Sequence, residues 1–118
     1  MEDHNHLENF KYTLSPQDGY SVKYDRVRAF SKIYVARYAT AHSVPAENVI
    51  RSYFFGSAKV AQELSKDGAV GIRVYYGVDE KGIEQLYLVA AKANGDDIPE
   101  NKEGSPVGSP KPCPPYCP

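Results

Sequence analysis

From Tyr20 to Ile98 the hydrophobic positions fall into three patterns, and each predicts its own element. In the first, Val27, Phe30, Tyr34, Tyr38 and Ala41 recur at helical spacing and form one apolar stripe. Ser21 suits the N-cap of this helix, which would then begin at Val22. In the second, Ser57 caps a helix that turns Val60, Ala61 and Leu64 inward and ends at Gly68, just after Lys66. Between the two, Pro45 suits the first turn of a further segment. "NVIRSYFFG", Asn48 to Gly56, fits a short helix and a buried strand equally.

The third pattern is a hairpin. "AVGIRVYYGV", Ala69 to Val78, and "IEQLYLVAAKA", Ile83 to Ala93, are rich in β-formers and flank "DEKG". A three-residue loop with Gly82 in the left-handed region pairs Asp79 with Ile83. That sets Tyr75 opposite Tyr87, Val74 opposite Leu88 and Arg73 opposite Val89. One face then carries Ile72, Val74, Tyr76, Leu86, Leu88 and Ala90, apolar enough to sit on the helices. The other carries Arg73, Tyr75, Gln85, Tyr87 and Val89. A slip of one residue would scatter the aliphatic side chains over both faces, so this register is favoured. Two strands alone are marginal. A third is expected from Ser52–Phe55 or from Phe10–Leu14, which alternates like an edge strand.

The ends of the chain lack such patterns. Residues 1–20 are otherwise poorly patterned, and seven of the nine prolines lie between Asn94 and Pro118. With few apolar residues to bury, residues 99–118 are expected to form a flexible, extended tail. "EGSPVGSPKP" would then hold the last residues away from the body. The predicted fold is α+β: two or three helices packed on a small antiparallel sheet built around the 69–78 and 83–93 hairpin, within a domain spanning 21–98, with a disordered Pro-rich C-terminal tail.

Composition narrows the setting. At 118 residues, with 42% apolar and 12% aromatic content, the chain suffices for one domain with a core. A net charge of −1 supplies no general attraction to nucleic acid or to an acidic membrane. The mean hydropathy is −0.52, and no apolar run reaches the roughly 18–20 residues of a membrane span. "MEDHNHLENF" lacks the basic start and apolar stretch of a secretory signal, so a cytoplasmic location is expected, where thiols stay reduced.

Several features together carry a resemblance. They are Ser21 at a helix start, Phe55-Gly56, Gly71-Ile72-Arg73-Val74-Tyr75-Tyr76-Gly77, Leu86-Tyr87-Leu88-Val89, Asn94-Gly95-Asp96-Asp97-Ile98, and Cys113 to Cys117. In these the chain resembles a group of small Bacteroidota proteins with a Gly-Ile-Arg-x-Tyr-x-Gly hairpin and a C-terminal Cys-Pro-Pro-x-Cys tip. The likeness covers about Ser21 to Ile98 plus the tip. Gly68-Ala69 stands where the group has Gly-Cys. The resemblance implies that body and tip form one recurring unit, and it implies no activity.

Candidate chemistry centres on Cys113 and Cys117, separated by Pro114, Pro115 and Tyr116. Two thiolates at this spacing could share Cu(I) or Zn(II), close as a reversible disulfide, or belong to a tag that a partner recognises. Copper chaperones of the Sco type have a similar Cys-Pro-x-x-Cys-Pro string, on a thioredoxin-like fold that is not visible here. No resident cofactor is expected otherwise. "DHNH", Asp3 to His6, reads as adventitious metal affinity. His42 suits a helix C-terminus. "NGDD" is too short for a calcium loop and reads as a turn.

The first helix is net +4 over Val22 to His42, most simply a solvated face. Neither phosphate-loop nor dinucleotide-binding glycine pattern occurs. On the mixed hairpin face, Arg73 beside Tyr75 and Tyr87 could hold an anion or a stacked ring, or form an internal cation–π cluster. With no nucleophile–base pair discernible, the expected role is a non-enzymatic binding or adaptor module that meets a protein partner through the tip, Tyr116 included. Metal binding or thiol redox chemistry through the two cysteines is the alternative.

Overall fold

A computed structural model describes residues 10–118. The element order is helix α1 (Tyr24–His42), a 3-10 turn (Ala46–Asn48), strand β1 (Ser52–Tyr53), helix α2 (Ser57–Leu64), and strands β2 (Ala69–Val78), β3 (Glu84–Lys92), β4 (Asp97–Ile98) and β5 (Pro112–Cys113). The strands form a three-stranded antiparallel sheet, β2-β3-β4, and a separate two-stranded ribbon, β1-β5. The fold is α+β, as the sequence predicts. The Asp3 to His6 cluster lies outside the described residues.

The hairpin follows its local chemistry. Asp79 N–H donates to the Ile83 carbonyl at 2.9 Å, and Gly82 sits at φ 81. Both Asp79 carboxylate oxygens are engaged: Oδ1 accepts the Lys81 and Ile83 N–H groups at 2.9 Å, and Oδ2 accepts Gln85 Nε2 at 3.1 Å. A loop fixed at so many points leaves one register, and Tyr75↔Tyr87, Val74↔Leu88 and Arg73↔Val89 are the observed partners.

Burial along this hairpin differs from the expected two-faced pattern. Leu88, Val89, Ala90 and Ala91 are buried on both faces of β3, whereas Val74 is half-exposed and Tyr76 is 89% exposed. The cause is coverage. An eight-residue helix spans about 12 Å, but a ten-residue strand runs to about 33 Å. Helix α2 therefore shields one end of the hairpin and leaves the loop end open.

Helix α1 also departs from expectation. Its first residue is Tyr24, with Lys23 as N-cap and no side-chain cap, so Ser21 does not start it. Val27, Phe30, Ile33 and Tyr34 are about half exposed, and only Val35 on the helix is buried. The apolar stripe does not cover the hairpin's apolar face: α1 lies against the 3-10 turn, where Val49 is buried as well, and it meets the loop end of the hairpin through Tyr34 and Tyr38. The first residue of α2 is Ser57, and Gly56 is its N-cap. Its buried side chain is Glu63, at 0% exposure, joined by Lys66 just past the helix end at 2%, whereas Leu64 is half exposed.

Residues 99–118 are not held away from the body. Leu88 and Val107 exchange backbone hydrogen bonds at 2.8 and 3.0 Å, and Val107 is buried. Ser52 pairs with Cys113 and Tyr53 with Pro112, which resolves the ambiguous Asn48–Gly56 segment as a 3-10 turn leading into a short strand. The third strand of the main sheet is β4, not Ser52–Phe55 or Phe10–Leu14. The latter makes a single backbone bond, Leu14 N–H to Ala93 O at 2.8 Å.

The tail is secured by an unusual group. Along the outer edge of β3, Leu88 N–H reaches Val107 and Lys92 N–H reaches Asp96. Between them, Ala90 N–H donates to Glu63 Oε1 at 3.1 Å, so a side chain replaces a missing backbone acceptor. The same oxygen takes the Lys66 ammonium at 3.0 Å, and Lys66 Nζ also donates to the Pro99 carbonyl at 3.1 Å. Proline supplies no N–H, but its carbonyl is an acceptor, and a buried cation makes that sufficient for docking.

Candidate functional site

Three places hold side chains that could act. The first is the expected Arg73 cluster. Asp97, placed on β4 by the turn at Asn94–Asp96, pairs with Ala91 of β3, and its side chain reaches across that strand to β2. Arg73 Nη1 donates to Asp97 Oδ1 at 2.5 Å and to the Gly95 carbonyl at 3.0 Å. The Tyr75 hydroxyl donates to Asp97 Oδ2. The Tyr75 and Arg73 bonds hold the Asp97 carboxyl below its ordinary range. The same Tyr75 bond raises the tyrosine above its own. Tyr87, opposite Tyr75, lies across Gly77 and reaches Gly108. A Cβ at Gly77 would stand 2.8 Å from the Tyr87 ring, so glycine is what lets the ring lie there. Arg73, Tyr75 and Tyr87 are thus committed to internal partners, with the arginine charge offset by Asp97.

The second place is the tip. Cys113 and Cys117 are joined as a disulfide. Cys113 is 3% exposed on β5, whereas Cys117 is exposed. Arg51 N–H donates to the Cys113 carbonyl at 2.9 Å, and Phe54 N–H to the Lys111 carbonyl at 3.1 Å. Tyr116 N–H closes onto the Pro112 carbonyl at 2.9 Å, with Lys111 Nζ 5.0 Å from the Tyr116 ring centre. The tip is a small closed ring strapped to β1. Holding Cu(I) or Zn(II) there would first require reduction of the disulfide, since thiolates are the ligands. Among the described residues no group of three or more His, Cys, Asp or Glu side chains converges on a common point.

The third place was not anticipated. Helix α1, strand β1 and the uncovered end of the hairpin enclose a groove of about 500 Å³. Its walls include Tyr34, Tyr53 and Tyr76, each from a different element, with Glu84, Val78 and Leu86. Glu84 organises it: Oε2 accepts the Tyr38 hydroxyl at 3.0 Å, and its backbone carbonyl accepts the Tyr53 hydroxyl. Tyr34 and Tyr53 are held above the usual phenol range, first by burial and then by the Glu84 charge. Tyr38 is raised mainly because its proton is engaged by Glu84.

The sequence assigned Tyr34 to the core stripe and Tyr76 to the helix-packed face, and it gave Glu84 no role. What it did contain was tyrosine recurring on three elements beside the acidic "DEKGIE" loop. Their convergence depends on α2 leaving that end of the sheet bare. Among the described residues no helix is long and apolar enough to cross a membrane. No protein-family model matches the chain, and neither does any curated protein or solved structure.

Proposed function

We propose that the chain is a non-enzymatic binding module, and that it meets a protein partner through the groove between α1, β1 and the hairpin loop. The observation that carries this reading is the unshielded aromatic surface running from α1 into the groove. Val27, Phe30 and Tyr34 are 47–52% exposed and Tyr76 is 89% exposed. Contiguous apolar surface of this kind is uncommon on a protein that does nothing with it. Tyrosine suits such a surface, because its ring gives contact area at low conformational cost while the hydroxyl stays hydrated.

The ring at Cys113–Cys117 then has a supporting role. It closes the end of β5, whose backbone pairs with β1, and β1 is one wall of the groove. To test this, a photo-crosslinking residue is placed at Tyr76 or at Tyr116 in the producing cell. Crosslinks from position 76 that vanish with Tyr34→Ala support the groove. Crosslinks from position 116 alone return the function to the tip.

A second reading is favoured by the asymmetry of the disulfide. Cys117 is the exposed residue of the pair and the one an external thiolate would approach, while Cys113 is buried. In a cytoplasmic protein the pair would cycle between dithiol and disulfide; in an oxidising compartment it would stay closed. A redox titration against glutathione decides between them. A midpoint well below the glutathione potential leaves the bond purely structural.

A further inference from the structure

We propose that the groove recognises an organic cation: an alkylated ammonium or guanidinium group, carried by a free amine or by a lysine or arginine side chain. This rests on the reading of the groove as the binding surface. Three observations support it. Tyr34, Tyr53 and Tyr76 come from three elements and all three line the groove. Tyrosine rings attract cations through their negative faces, and they do so most strongly where water is displaced. None of the three is engaged by an arginine or lysine of the chain itself, among the described residues. The cation–π contacts found there involve Phe30, Tyr24 and Tyr116.

The charge in the groove is the second observation. Glu84 is the acidic residue of the lining, and Asp79 adds a further negative charge that Tyr53 experiences. The Asp79 carboxylate is saturated by the hairpin loop and by Gln85, so it acts through its field and not as a ligand. Glu84 Oε2 has the Tyr38 hydroxyl as its donor, a neutral partner that leaves the charge uncompensated.

The third observation concerns Arg51, the one basic residue of the lining. Its Nη2 donates to the Ala46 carbonyl at 3.2 Å and its Nε to the Val49 carbonyl at 3.4 Å. Ala46 lies in a separate hollow, which it shares with Arg28, Lys32 and Arg51 itself. The guanidinium thus spends its hydrogen bonds on the Val49 and Ala46 carbonyls, neither of which lines the groove, and Arg28 and Lys32 of α1 border the same hollow. Glu84, bonded only to neutral donors, is left as the acceptor a bound cation would meet. The volume of about 500 Å³ suits a small ligand or one long side chain.

The test is a heteronuclear NMR titration of the full chain with choline and with its neutral carbon isostere 3,3-dimethyl-1-butanol. A second pair of arms uses acetylated, amidated lysine and arginine beside the norleucine analogue. The expected result is that the cations move the amides of Ser52, Tyr53 and Gly77 to Glu84, and that the neutral compounds do not. Stronger shifts with the amino-acid arms assign the cation to a polypeptide, and stronger shifts with choline assign it to a free amine. Glu84→Gln weakens binding by about three- to tenfold. Tyr76→Ala does so as well, and its exposure ensures that the variant folds.

Equal shifts with the neutral isosteres would overturn cation recognition and leave the groove a binding surface. Shifts confined to Asp96 and Asp97, or none at all, would also overturn it. In that case, crosslinking from Tyr76 decides separately whether the groove binds a partner.

Discussion

Replacing Glu63 with leucine should destabilise the protein by about 3–5 kcal/mol, the usual loss when one partner of a buried ion pair is removed. The side chains of Glu63 and Lys66 are both fully enclosed. Leucine is close in size, so the loss is not mainly one of packing. It removes the acceptor of three donors: Lys66 Nζ at 3.0 Å, Ala90 N–H at 3.1 Å and, at 3.3 Å, the Gln62 side-chain amide, which keeps its bond to the Ser105 carbonyl. The orphaned amide accounts for about 1–3 kcal/mol, and the unpaired ammonium, left with only the Pro99 carbonyl, for the remainder. For a domain with about 5–15 kcal/mol of stability, this is a large fraction.

Urea unfolding followed by circular dichroism measures the effect as a lower midpoint at unchanged slope. The Glu63→Leu, Lys66→Met double variant should recover the ammonium share and retain the deficit of the Ala90 amide. Hydrogen exchange at Leu88 and Val107 should accelerate in the single variant, because Lys66, which anchors the tail at Pro99, is no longer held in place by its carboxylate. A loss below about 1 kcal/mol for Glu63→Leu, within the range of an exposed pair, would refute the buried bridge. The account of how the tail docks would fall with it.

Three further outcomes follow from the same structure. Asp97 is held below its ordinary 3.8, chiefly by Tyr75 and then by Arg73. Its contribution is therefore present above that value and lost as pH falls through the depressed one. The stability gap between the protein and Asp97→Asn should stay constant down to about pH 4 and close below it. Tyr34, Tyr38, Tyr53 and Tyr75 are raised above 10.0, so they stabilise the fold below that pH and lose their effect as pH rises through the raised values. An absorbance titration at 295 nm should show a late-ionising group of tyrosines that merges with the others in urea. Cys117→Ser opens a ring only five residues long and should cost about 2 kcal/mol by loop entropy. Exchange should then speed up at Arg51 and Phe54, whose N–H groups bond the tip, and not at Val74.

How much of this was legible in the sequence differs from element to element. The hairpin was legible down to its register, because everything that sets it lies within Asp79 to Gln85. Asp79 fixes the loop, Gly82 supplies the left-handed turn, and the β-formers on either side do the rest. Helix α1 was legible as a helix, but its exposure was not. Spacing reports that Val27, Phe30 and Tyr34 share a face, and says nothing of whether any surface meets that face. In α2 the apolar positions pointed to Leu64, yet burial went to Glu63 and Lys66. An ion pair is buried only where partners exist for it, and these are Ala90 and Pro99, 27 and 33 residues away.

The tail shows the division most clearly. Its composition correctly announces that it cannot build a core of its own, since it holds seven of the nine prolines in residues 94–118 and few apolar side chains. What composition could not announce is that β3 and β1 present unpaired edges to it. Val107, Ser109 and Cys113 become buried only because those edges accept them. The sequence by itself determined the α+β class, the hairpin and its register, and the presence of the cysteine pair. Only the tertiary structure decided that the ring is strapped to β1, that Arg73 is answered by Asp97, and that three tyrosines meet around Glu84. The first set depends on contacts a few residues apart, and the second on which surfaces a short α2 left uncovered.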